Sequence, residues 1–358
     1  MKIIFAGQPN LSERTAALSP LLARAGHEVT VLEGAARTSP RLRTIQGVRL
    51  KRVPSRLPGQ LGEWLYTLAA VLRASWAGAG VIHIHGWKLA AAAPLLAALA
   101  PGAVIVWTVD SLPARPRWLL RFVARRAQAL AQAVTVTRRD LQWHLLEISG
   151  VRAEYIPDGY SESDTPLISP RRWKLWTGRY IAATAESKAE LAFLAQAYAK
   201  VRSRKKLVVL TSKAAELSPL SRKHPFITLV ETESPRVARS LMQGAAAIIL
   251  GSRRDTLPTL LSALRCGKPV VAVAEPFHEE TLGVCAQYVK EGDSETLRRS
   301  LATAGRNARQ ADKGRVRAEA HFRWERILLD YLHLYQPAVF LVPIDSAQGV
   351  KFSEPVVN

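Results

Sequence analysis

Short apolar runs rich in valine and isoleucine alternate with helix-period segments along this chain, and the alternation stops once and then restarts. In the first half, strand candidates fall at 2–6, 28–32, 48–53, 80–84, 103–108, 133–137 and 153–156. Helical patterns fill the intervals at 12–25, 61–77, 117–132 and 139–148. Strands that are apolar on both faces and separated by helices belong to a parallel sheet covered on both sides, because each crossover helix lies over the sheet it connects. Segment 158–177, with Asp158-Gly159, Pro166 and Pro170, breaks the pattern and reads as a linker. Alternation resumes with strands near 180–185, 206–211, 226–230, 246–250, 269–274 and 286–289, and helices at 188–202, 235–243, 257–265 and 294–321. The expected fold class is therefore α/β, with two doubly wound, Rossmann-like domains. A length of 358 residues also exceeds what one core usually supports.

The domain boundaries expected are 1–170 and 178–318, followed by an amphipathic helix over 319–336 and an irregular tail over 337–358. Two such domains in tandem place a cleft between the carboxyl ends of their strands, where open α/β sheets bind ligands.

Composition narrows the class of protein. Lys+Arg 50 against Asp+Glu 29 gives a net charge of +21, yet 48% of residues are hydrophobic, enough to build cores. Cys266 and Cys285 are too few for a disulfide framework or a four-ligand zinc site, and they suit a reducing compartment. The amino-terminal apolar run is too short for a signal peptide, so the expected location is cytoplasmic. The uncharged stretch between Lys88 and Asp110 is long enough to span a bilayer, but Pro94 and Pro101-Gly102 interrupt it. A helix over 89–100, a turn and a buried strand explain it better.

The basic residues are not evenly spread. Seven fall between Arg37 and Arg56, and seven more between Ser111 and Arg139, with no acid in either stretch. On the helix over 117–132, Leu119, Leu120, Val123, Ala127 and Leu130 make an apolar stripe. The other face shows Trp118, Arg121, Phe122, Arg125 and Arg126. Rings mixed with arginines suit an anionic membrane surface, so peripheral contact with the cytoplasmic membrane face is expected there. A solvated helix is the plainer alternative. Nucleic acid is not expected, since no binding motif or stacking platform accompanies the charge. His83 and His85 share one strand face. They read as satisfied histidines at a cleft edge in preference to a metal pair, because no acidic or cysteine partner lies nearby in sequence.

The landmarks, taken in order, resemble a known family. Ala25-Gly26-His27-Glu28-Val29-Thr30-Val31, Val81-Ile82-His83-Ile84-His85-Gly86, Val106-Trp107-Thr108-Val109-Asp110 and Tyr155-Ile156-Pro157-Asp158-Gly159-Tyr160 cover the first half. Cys266-Gly267-Lys268-Pro269-Val270-Val271 and the closing Arg323-Trp324-Glu325 helix follow in the second. This series is similar to family-4 glycosyltransferases of the GT-B architecture, whose two domains face a central cleft and whose last helix returns to the first domain. The resemblance implies a nucleotide-sugar donor, no bound metal or other cofactor, and retention of configuration.

It also implies site residues. Lys188, at the start of a helix, fits the lysine that holds the donor diphosphate, while the companion arginine is absent. Asp255 stands for the first of two glutamates, and Ser262 falls where the second would hold the ribose. Arg253 and Arg254 are candidates to supply the missing charge. Gly7 and Gln8 occupy the first-domain loop that approaches the diphosphate. Asp110 replaces the family's histidine and, with Asp255, is a catalytic candidate: it either orients an acceptor hydroxyl or acts as a base, or it simply caps its own turn. The function expected is transfer of a sugar to a glycan or lipid-linked acceptor near a membrane. A non-catalytic relative keeping the fold as a binding subunit is the alternative, and a nucleotide-sugar epimerase fits the landmarks less well.

Overall fold

The computed structural model describes residues 1–7, 13–34, 44–53, 59–113, 116–162, 166–201, 205–304 and 308–336. Its first sheet contains β1 (Lys2–Ala6), β2 (Glu28–Gly34), β3 (Thr44–Ile45), β4 (Val48–Val53), β5 (Val81–His85), β6 (Val104–Val109), β7 (Ala133–Val136) and β8 (Glu154–Tyr155). Their order is β3-β4-β2-β1-β5-β6-β7-β8, and all pairs are parallel except the edge pair β3–β4. The second sheet contains β9 (Tyr180–Thr184), β10 (Lys206–Thr211), β11 (Ile227–Glu231), β12 (Ile248–Leu250), β13 (Val270–Val273) and β14 (Ala286–Val289), in the order β11-β10-β9-β12-β13-β14. Both sheets reverse their winding once, between β1 and β5 in the first and between β9 and β12 in the second. Those two reversals fix where ligands can enter.

The first domain's helices are α1 (Glu13–Arg24), α2 (Gly59–Trp76), α3 (Trp87–Ala91), α4 (Ala93–Leu99), α5 (Arg117–Leu130) and α6 (Arg139–Ser149). The alanine-rich stretch expected as one helix is two, because the chain turns at Ala92 and Pro94 sits in the first turn of α4, where its missing N–H is not needed. The second domain carries α7 (Lys188–Ala199), α8 (Ala214–Ser221), α9 (Pro235–Gly244), α10 (Leu257–Arg265), α11 (Pro276–Leu282), α12 (Ser294–Ala304) and α13 (Ala308–Phe322). Neither α8 nor α11 is visible in the apolar periodicity. Both are short, with Pro219 inside one and Pro276 opening the other.

The chain then breaks at Arg323, and α14 (Trp324–Tyr335) crosses to the first domain. Ile327, Tyr331 and Tyr335 are fully buried there in one cluster with Ile3, Phe5, Leu18 and Leu22. The crossing is pinned to the linker. The Tyr160 N–H donates to the Phe322 carbonyl at 2.8 Å, and the Trp324 N–H donates to the Tyr160 carbonyl at 3.1 Å. Beside it, Arg14 is buried and donates from Nε to Asp158 Oδ1 at 2.7 Å and from Nη1 to Tyr331 Oη at 2.8 Å. α1, the linker and α14 therefore meet at one guanidinium. Residues 337–358, expected as a tail, lie outside the described residues.

Gly159 has a packing reason to be glycine. A Cβ there would come within 2.7 Å of both Ile327 Cδ1 and the Phe322 carbonyl oxygen, and the second of these belongs to backbone that cannot swing aside. Gly159→Ala is expected to lose about 1–3 kcal/mol of stability in chemical denaturation, the usual cost of overpacking. A loss inside about 0.5 kcal/mol, the range of a surface substitution, would mean that α14 has room to shift.

Candidate functional site

At the first reversal point, the carboxyl ends of β1, β5 and β6 open into a pocket of about 560 Å³. Gly7, His85, Gly86 and Asp110 come from the strand ends, while Trp64, Thr67, Trp87, Leu89, Leu119 and Val123 come from α2, α3 and α5. One wall is held rigid by Trp107, which donates from Nε1 to the Gly86 carbonyl at 3.2 Å and meets Trp87 edge-on. The Glu63–Lys88 ion pair joins α2 to α3 at the same pocket. The lining is thus aromatic and aliphatic, with a few polar groups set among it, as small-molecule sites usually are.

Two neighbouring histidines have different situations. His83 is closed off: its Nδ1 is 2.6 Å from Tyr335 Oη and its Nε2 is 2.7 Å from Thr108 Oγ1. Burial, then the charges of His85 and Arg14, hold its pKa well below the ordinary value, so it stays neutral. His85 does not follow the expectation of a satisfied side chain. It is 3% exposed, and among the described residues neither ring nitrogen has a hydrogen-bond partner. The Asp110 carboxylate is 3.7 Å from His85 Nδ1, too far for a hydrogen bond but close enough for charge to be felt. Asp110 itself is 44% exposed. Burial pushes its pKa up, but the nearness of His85 and the charge of Arg14 outweigh this and hold it below the usual range. The pocket therefore presents an ionised carboxylate beside an imidazole whose nitrogens make no hydrogen bond among the described residues. Gln8 lies outside the described residues. Gly7 is present at the pocket, although a Cβ there would make only an ordinary 3.5 Å contact with His85.

The second reversal point, between β9 and β12, carries carboxylates. Thr184 Oγ1 accepts from the Gly251 N–H at 3.0 Å and donates to Asp255 Oδ2 at 2.8 Å. Glu186 accepts from the Ser212 hydroxyl at 2.7 Å and the Ser212 N–H at 3.0 Å. Glu190 accepts from the Glu186 N–H at 2.6 Å and the Ser252 hydroxyl at 3.1 Å. Asp255 is 5% exposed, and its pKa is pushed up to about 8. Burial is the main cause; the Thr184 bond opposes it, while Glu190 and Glu186 reinforce it. His278 Nε2 lies 3.8 Å from Asp255, but burial lowers the His278 pKa and leaves the imidazole neutral.

This arrangement bears on each expected donor residue. Lys188 is the exposed first residue of α7 and makes no ion pair among the described residues. The start of α7 is capped from within, since Ser187 Oγ accepts from the Glu190 N–H. Ser187-Lys188-Ala189-Glu190 carries the S-x-x-E signal of a helix start, but only its serine half is made in the usual way, since Glu190 reaches the Glu186 N–H rather than that of Ser187. Arg253, a candidate for the missing charge, pairs with Glu275 at 3.2 Å and Glu291 at 3.4 Å. Arg254 is exposed. Ser262 is 5% exposed, and its hydroxyl donates within α10 to the Pro258 carbonyl at 2.7 Å, so it is turned to its own helix. Among the described residues no group of three or more histidines, cysteines and acids is placed to hold a metal ion.

On α5, Trp118 is 71% and Phe122 57% exposed. Arg121, Arg125 and Arg126 are exposed as well. Part of the charge is used internally, because Arg125 donates to the Ser149 carbonyl at 2.8 Å. Arg126 lies over the Phe122 ring at 5.6 Å. Leu130, expected in the buried stripe, is exposed at the last turn, and Ala124 is buried in its place. Of the earlier basic stretch, Arg37, Arg41, Arg43 and Arg56 lie outside the described residues, and Arg49 pairs with Glu28. Among the described residues no helix is long and apolar enough to cross a membrane.

Residues 12–163 match the model of Glycosyltransferase Family 4. No curated protein matches the chain by sequence. Among solved structures it is similar to HepE of Anabaena in complex with UDP, with a TM-score of 0.70 at 16% identity, covering 93% of this chain and 99% of that one. OtsA in its apo form gives a TM-score of 0.69 at 9% identity, covering 95% and 100%. A UDP-forming α,α-trehalose-phosphate synthase from Burkholderia xenovorans gives 0.64 at 10%, covering 93% and 98%. At these identities the structural likeness establishes the two-domain GT-B fold.

Proposed function

We propose that this chain, whose residues 12–163 match the Glycosyltransferase Family 4 model and whose fold is GT-B, transfers a sugar from a UDP-sugar to a lipid-linked acceptor at an anionic membrane surface. Retention of configuration is part of the proposal by resemblance. The observation that carries it is the first-domain pocket, aromatic and aliphatic with a few polar groups set among them, built beside helix faces that expose rings and arginines. Tryptophans suit both sides of that pocket: Trp87 and Trp64 offer faces to a sugar ring, and Trp118 is on the outer face of α5.

In this reading Asp110 accepts a hydrogen bond from an acceptor hydroxyl, and its depressed pKa keeps it ionised for that task. His85 offers the second polar contact. Lys188 meets the donor diphosphate from the start of α7. Gly7 and Gln8 approach the donor from the first domain. Trp118, Arg121, Phe122, Arg125 and Arg126 meet the lipid headgroups. Asp255 enters as a protonated carboxyl rather than an anion, which removes its repulsion of the diphosphate. UDP as the nucleotide rests on the complexes formed by the structural neighbour HepE. The protein is expected to work peripherally on the cytoplasmic membrane face.

A second reading has an observation of its own. Glu186 and Glu190 occupy the amides and hydroxyls around the diphosphate turn, which favours a GT-B-fold binding subunit that no longer takes a donor. Calorimetric titration with UDP separates the two. The enzyme reading expects stoichiometric binding that weakens about tenfold or more in Lys188→Ala, the loss of one charge-assisted contact. A folded protein that binds no UDP at low salt would make the binding-subunit reading the better one.

A further inference from the structure

The first-domain pocket does not end at its own walls. A second hollow of about 160 Å³ lies against it, and Ala91 and Val123 line both. The outer hollow adds Ala90, Pro94, Phe122 and Arg126, so Arg126 is its one polar side chain. Its existence follows from the sequence of the layer. Leu89-Ala90-Ala91-Ala92-Ala93-Pro94 puts methyl groups where longer side chains would fill the space against α5, and the break between α3 and α4 falls in the same stretch.

We propose that this pair of hollows is a route for a hydrocarbon chain, running from the acceptor pocket over Ala91 and Val123 to the surface at Phe122 and Arg126. The inference rests on reading the larger pocket as the acceptor site, and it names the acceptor as a sugar carried on a long aliphatic tail. The head of such a molecule meets the polar end of the pocket, where His85 is 3% exposed and, among the described residues, neither ring nitrogen has a hydrogen-bond partner, with Asp110 3.7 Å from Nδ1. The tail meets alanine, valine, proline and phenylalanine. Water in the outer hollow would find few partners, so hydrocarbon is the favoured occupant. The exit suits a lipid surface by charge, because Arg126 stands beside exposed Phe122, one turn from exposed Trp118. A sugar head at the strand ends and a tail leaving between helices lets the reacting hydroxyl reach the cleft while the chain stays in lipid.

The test uses n-alkyl β-glucosides from butyl to decyl, each below its micelle-forming concentration, titrated into the full chain and followed by calorimetry. Affinity is expected to rise about threefold to fourfold per added methylene, the effect of burying each one. Ala91→Trp, which plugs the junction, is expected to collapse the ratio of decyl to butyl affinity within that variant. Ala91→Leu gives an intermediate ratio and serves if the tryptophan variant fails to fold. A ratio preserved in both variants places the chain elsewhere and overturns the route. Butyl glucoside binding without chain-length dependence overturns the route but leaves the pocket as an acceptor site. If neither butyl nor decyl glucoside binds, the acceptor reading fails and the route with it. Dimers in equilibrium sedimentation that Phe122→Asp abolishes would assign the exit face to a second copy of the chain, again overturning the proposal.

Discussion

Asp158→Ala is expected to cost about 3 kcal/mol of stability, the low end for leaving a buried charge without its partner. Arg14 is 2% exposed, and Asp158 contributes the carboxylate that faces it, 2.6 Å from Nη2. Asp158 itself is 39% exposed, so water moderates the loss and the upper end of the range is not reached. The asymmetry of burial makes the prediction sharper. Arg14→Met leaves behind a carboxylate that water can reach and one buried tyrosine hydroxyl, about 1–3 kcal/mol at most. Denaturant unfolding of both variants should therefore rank Asp158→Ala as the worse. The reverse order would mean that Arg14 finds another acceptor or leaves its site when Asp158 is gone. The effect should also reach beyond the contact, because this guanidinium joins α1, the interdomain linker and α14.

The same junction shows what could be read in the sequence and what could not. Strands such as Val81–His85 and Val270–Val273 are legible because they are buried on both faces and alternate with helical segments, the combination a covered parallel sheet requires. The Asp158-Gly159 turn was legible as a break. Its partners were not, since Arg14 and Tyr331 lie far from it along the chain and only the closing of α14 brings them together. The candidate site divides in the same way. Ser187-Lys188 announces a helix start locally, whereas the link from Thr184 to Asp255 crosses from β9 to the loop after β12. Arg253 illustrates the converse. Beside the expected donor turn it looks available in sequence, but Glu275 and Glu291, from two other loops, take its charge.

Asp255→Asn is expected to stabilise the protein above pH 7 and to flatten its dependence on pH. The folded protein holds Asp255 protonated up to about pH 8, while an unfolded aspartate ionises near pH 4. Between those values the folded state binds a proton that the unfolded state gives up, so the Asp255 contribution is present in full below pH 4 and is lost as pH rises toward 8. The slope is at most about 1.4 kcal/mol per pH unit, and over the window the difference amounts to several kcal/mol. His278 works in the opposite direction. Its pKa is lowered by burial, so its contribution falls as pH drops below the ordinary histidine value. Subtracting the wild-type stability curve from that of Asp255→Asn cancels this, because asparagine keeps the shape and can still accept from Thr184. The difference should grow steadily from pH 4 to 8; two parallel curves would show that Asp255 ionises freely in the folded protein. The consequence for donor binding follows from charge. A neutral Asp255 leaves Glu186 and Glu190 as the anions near Lys188, and both are held by backbone and hydroxyl donors. Above pH 8 a third negative charge appears at that turn, so UDP affinity in the wild type should fall there and remain level in Asp255→Asn.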